Sequence, residues 1–86
     1  MARGARVGID EDFRIWGRIE HAAPAEFVVV VTKVPETGDP AGIQTLTAAC
    51  VSRDEAKAAL RAFMTKMGHS IRTAGGRVTD TEVDGL

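Results

Sequence analysis

Tyrosine is absent from this 86-residue chain, cysteine and tryptophan occur once each, and phenylalanine and proline three times each. A single cysteine, Cys50, excludes an intramolecular disulfide and any multi-cysteine zinc or iron–sulfur site, so a reducing compartment, the cytoplasm, is expected. No run near eighteen apolar residues occurs, and no signal-length apolar stretch follows Arg3 and Arg6. The sequence therefore predicts neither a membrane span nor secretion by that route. Charge of one sign is lacking as well: 11 basic residues against 12 acidic ones leave a net charge of −1. No whole-protein field draws the chain to nucleic acid or to an anionic membrane, and any such binding needs a local patch.

Catalytic and phosphate-binding motifs are missing too. His21 and His69 have no carboxylate at a spacing that suggests a triad, and no short metal-ligand motif is present. His21 reads as a loop residue and His69 as a residue just past a helix stop. Cys50, beside Ala48 on an alternating segment, reads as a small core filler. Gly75-Gly76 opens no helix that could receive a phosphate, and Gly38 and Gly42 lie between strands. No cofactor, metal or catalytic residue is expected.

What is present is an ordinary globular composition, 44% hydrophobic and 27% charged, in a chain too short for two domains. Residues 1–86 read as one domain, with 1–12 as a flexible arm in which Val7 and Ile9 could add an edge strand. Phe13 to Glu20 alternates, Phe13, Ile15, Gly17 and Ile19 on one side and Arg14, Trp16, Arg18 and Glu20 on the other, which predicts a half-buried strand. A helix through the same stretch to Ala23 would carry Gly17 at its centre, at a cost of about 1 kcal/mol. Glu26 to Val34 is β-branched with both parities apolar, as in a strand covered on both faces. Pro35 to Gly42 supplies the turn residues of a loop, and Ile43 to Val51 a third strand.

The helix has the clearest signals. Ser52 and Glu55 form a capping box, Ala56, Ala59, Leu60, Phe63, Met64 and Met67 make an apolar stripe at three- and four-residue steps, and Gly68 offers a left-handed stop. These predict a helix over about 53–67. The tail from Ser70 to Val83 reads as one or two short strands. The expected architecture is α+β: an antiparallel sheet of three to five strands, one face covered by one helix, in the order β-β-β-α-β.

Two surface features stand out. Five basic residues and no acidic one occur between 57 and 79, balanced by Asp80, Glu82 and Asp84 in the tail. Trp16 is flanked by Arg14 and Arg18 on one strand face, an arrangement suited to stacking a base or to anchoring a partner. A single helix can bury only one face of the valine strand. Val28 and Val30, with Trp16, Thr45 and Thr47, are then left as an apolar patch that a second copy would cover, with Arg14 and Arg18 at its rim.

Three strands leading into a helix that opens Ser52-Arg53-Asp54-Glu55-Ala56-Lys57 resemble the second half of double-stranded-RNA-binding domains, over less than half of the chain. The resemblance implies phosphate contacts at Arg53 and Lys57, with Arg61 one turn further on, and makes Phe13 to Ala23 the family's first helix. Asp54 stands where that family carries a lysine. The sequence thus leads to a non-enzymatic, self-associating homodimeric module, with RNA binding as the alternative and a small-molecule pocket between subunits as the third reading.

Overall fold

The computed structural model describes residues 11–85. Four strands and one long helix follow in the order β1 (Asp12–Ala23), β2 (Glu26–Pro35), β3 (Gln44–Cys50), α1 (Arg53–Thr73) and β4 (Arg77–Asp84). A 3-10 turn, Pro40–Gly42, interrupts the loop before β3 and is capped by the Asp39 carboxylate, which accepts from the Ala41 N–H. The expected arm falls mostly on residues 1–10, outside the described residues, as do Val7 and Ile9. Its last residue, Asp12, belongs to β1, where its carboxylate lies 2.8 Å from the Arg77 guanidinium.

Alternation in β1 and β2 produces the two faces of the sheet. Phe13, Ile15, Gly17 and Ile19 are buried under the helix together with Phe27, Val29 and Val31 of β2. Their neighbours in the opposite parity, Trp16, Val28 and Val30 among them, face away from it. Antiparallel pairing sets Gly17 against Val31 and Ile19 against Val29, so inward residues meet inward residues.

Helix α1 begins where the capping box predicts. The Ser52 hydroxyl accepts from the Glu55 N–H at 3.2 Å, while the Glu55 carboxylate accepts from the Val51 N–H at 3.0 Å. Its end differs from expectation. Gly68 lies inside the helix, buried, and the chain continues to Thr73; the left-handed residue is Gly75, with φ of 90°. A side chain at Gly68 would approach the Arg72 guanidinium at 3.3 Å, so this glycine gives room beside that side chain. Ser70 to Thr73, expected in a strand, forms the last helical turn and delivers Ile71 to the core at 1% exposure.

The longer helix also sets the direction of the last strand. The strand order is β3-β2-β1-β4, and β4 runs parallel to β1, so the sheet is mixed and not wholly antiparallel. Twenty-one helical residues rise about 32 Å, enough to carry the chain from the end of β3 back past the start of β1. The chain then sets out again in the direction of β1. Pairing shifts by one residue between Phe13↔Val78 and Arg14↔Asp80, leaving Thr79 as an extra residue whose hydroxyl donates to the Glu36 carboxylate at 2.7 Å.

Candidate interaction surface

The sheet face opposite the helix is built from all four strands. From β3 to β4, adjacent positions run Thr45, Thr32, Trp16, Glu82 in one row and Thr47, Val30, Arg18, Asp84 in the next, with Val34, Arg14 and Asp80 below and Val28 above. Arg14, Trp16, Arg18, Val28, Val30, Thr45 and Thr47 therefore share one face, as their parity predicts. Period-two alternation is the cause, because the face that packs on α1 takes the other parity.

Trp16 is the largest side chain on this face and is 42% exposed; Ile43, just before β3, is 45% exposed. Shallow hollows lie on either side of the indole. One is lined by Arg14, Val34, Asp80 and Glu82, the other by Arg18, Val30, Thr32, Ile43 and Thr45. The ring is held in place at its edge, where Nε1 donates to Asp84 Oδ2 at 3.1 Å, and the Arg18 guanidinium sits 5.5 Å from the ring centroid. Arg18 Nε also lies 3.0 Å from Glu20, and Arg14 lies 3.5 Å from Asp80. The Thr32 and Thr45 hydroxyls are 3.2 Å apart, linking β2 to β3.

In the sequence Asp80, Glu82 and Asp84 read only as balance for the basic stretch. Their period of two was the available signal. On a strand it puts all three carboxylates in one row beside Arg14, Trp16 and Arg18, so the open face has an acidic border along β4 and an apolar, uncharged half over β2 and β3.

The residues of the RNA reading follow one another at four-residue steps along α1, on its side toward the end of β4. Arg53 donates from its guanidinium to the Gly85 carbonyl at 3.0 Å and lies 5.3 Å from the Phe27 ring centroid. Lys57 and Arg61 flank a hollow between α1 and β4, beside Leu60, Met64 and Val83. Phe13 to Ala23, needed as the first helix of the double-stranded-RNA-binding resemblance, is strand β1.

Neither histidine stands where the sequence suggested. His21 lies in β1, its ring stacked on Phe27 with centroids 4.3 Å apart, and His69 lies within α1, with Nε2 3.4 Å from the Thr73 hydroxyl. Cys50 closes β3 as a buried residue, and burial together with the Glu55 carboxylate pushes its thiol above its ordinary value. Among the described residues no group of three or more His, Cys, Asp or Glu is placed to hold a metal ion, and no helix is long and apolar enough to cross a membrane. Comparison with known protein families, with curated proteins and with solved structures finds no match to this chain.

Proposed function

We propose that the chain is a small non-enzymatic interaction module that associates with itself through the open sheet face. The observation that carries this reading is Trp16, a large ring 42% exposed at the centre of that face and already fixed in orientation by Asp84. An anchor whose rotamer is set in advance loses little entropy on docking, and aromatic anchors in central positions dominate interface energies. Half-buried Val28, Val30 and Val34 with Thr45 and Thr47 supply the apolar surround.

Charge restricts the geometry. A two-fold axis across the strands would set each strand on its own counterpart and bring Asp80, Glu82 and Asp84 against the same three carboxylates. An axis along the strands avoids that clash and lets the β1 row meet the uncharged half of the partner. The module works in the cytoplasm in this reading, where a lone thiol stays reduced.

Sedimentation of the wild-type chain and of Trp16→Ala, with Trp16 fluorescence recorded in parallel, tests the proposal. A mass above one chain that falls in the variant, with wild-type emission shifted to the blue on concentration, supports it. A wild-type monomer at all concentrations with emission typical of exposed tryptophan refutes it.

A further inference from the structure

Edge strands invite pairing with other chains, and natural sheets guard them with charge, proline or bulges. The two outer strands described here are treated in opposite ways. β4 carries Asp80, Glu82 and Asp84 in one row and a register shift near its start, so pairing with a second β4 would crowd six carboxylates. β3 carries no such guard. From Ile43 to Val51 there is no charged residue, no proline and no glycine.

We propose that β3 is a second self-association surface, on which two copies pair antiparallel about Thr47 to continue one sheet across both chains. Thr47 is the middle of the seven-residue strand, so this register uses its whole length. It sets Leu46 opposite the partner's Ala48 on the helix side, where both are half-buried, and Thr45 opposite the partner's Ala49 on the open side. Just beyond the strand it brings Ile43 beside the partner's Val51. Among the described residues these are two of the four large apolar side chains left exposed, at 45% and 69%. Val51 precedes the Ser52 cap, a position that often packs back onto its own helix, and here it stays open instead. Antiparallel self-pairing thus buries an exposed apolar residue at each end of β3.

This contact does not depend on the face contact, since it uses the strand edge. Cross-linking separates the two. In the proposed register residues 45 and 49 of different chains are direct partners, about 4.5–5.5 Å apart, within disulfide range. Identical positions 45 and 45, or 49 and 49, are offset by four residues, about 13 Å, and cannot be bridged. Stacked sheet faces, about 10 Å apart, cannot bridge them either.

Chains carrying Thr45→Cys are mixed with chains carrying Ala49→Cys under mild oxidation, with and without Trp16→Ala in both. The expected result is a disulfide-linked dimer at several-fold higher yield in the mixture than in either chain alone, retained when Trp16 is removed. Amide exchange of the unmodified protein gives the second measurement. Outward-facing amides of residues 44–50 should slow by about tenfold or more from dilute to concentrated protein while those of residues 77–84 do not. Equal yields in mixed and separate samples, loss of the cross-link with Trp16→Ala, or β3 exchange independent of concentration would overturn the proposal.

Discussion

Trp16 and Asp84 meet across the parallel pair β1 and β4, the indole N–H donating to the carboxylate at 3.1 Å. The two residues are 68 positions apart, so the contact exists only because α1 returns the chain to the starting edge of the sheet. It ties the last strand to the centre of the open face.

Asp84→Ala should therefore weaken self-association less than Trp16→Ala does. Removing the ring should cost about 2 kcal/mol or more of association free energy, whereas removing the carboxylate leaves the ring but frees its rotamer. Sedimentation of both variants checks the order. A larger effect from Asp84 would mean that the acidic border, and not the ring, makes the contact.

Ser52→Ala should lower stability by about 0.5–2 kcal/mol, the ordinary range for a helix cap, because the Glu55 N–H loses its acceptor. Glu55→Ala removes a different bond, the one accepted from Val51, and should cost less since that segment is exposed. Denaturant midpoints at constant slope measure both.

The start of α1 and the faces of β1 and β2 were legible because each is a local pattern: a cap box, an alternation, a double-faced valine run. The end of α1 was not. A glycine at 68 looks like a stop until Arg72 is in place beside it, and Gly75 does the same work seven residues later. The direction of β4 depends on that end, so one misplaced glycine also hid the parallel pairing. His21 reads as a loop residue for a similar reason: its stacking on Phe27 comes from the cross-strand pairing of positions 21 and 27. On the surface, the Arg14, Trp16, Arg18 row was readable from one strand, but its acidic neighbour required knowing that residues 77–84 pair beside β1.

Cys50 gives a pH dependence of known sign. Its folded thiol titrates above the ordinary value, first because burial disfavours the thiolate and then because Glu55 lies close. Above the ordinary thiol value the unfolded chain holds fewer protons than the folded one, so stability falls as pH rises until the folded thiol itself ionises. Cys50→Ala should have a flatter stability profile across that alkaline window, although it is less stable near neutrality through lost packing. Parallel profiles would show that other groups set the alkaline limit.

Gly17 and Leu60 should be coupled. Gly17 sits mid-strand on the helix side of β1, and a Cβ placed there would come within 2.7 Å of Leu60 Cδ1 and 3.1 Å of Met64 Sδ. Leu60 is 3% exposed, so its methyl has little space to retreat. Gly17→Ala should then cost about 1–3 kcal/mol through overpacking, despite the better strand propensity of alanine. Leu60→Ala alone should cost about 2–5 kcal/mol, since it empties part of the core. Combined, the two changes should cost clearly less than their sum, because the added methyl occupies space that the lost isobutyl group vacates. A double-mutant cycle by denaturant unfolding measures that difference. Strict additivity would mean that α1 shifts away from β1 to admit the methyl, and that close approach over Gly17 is not what fixes the helix on the sheet.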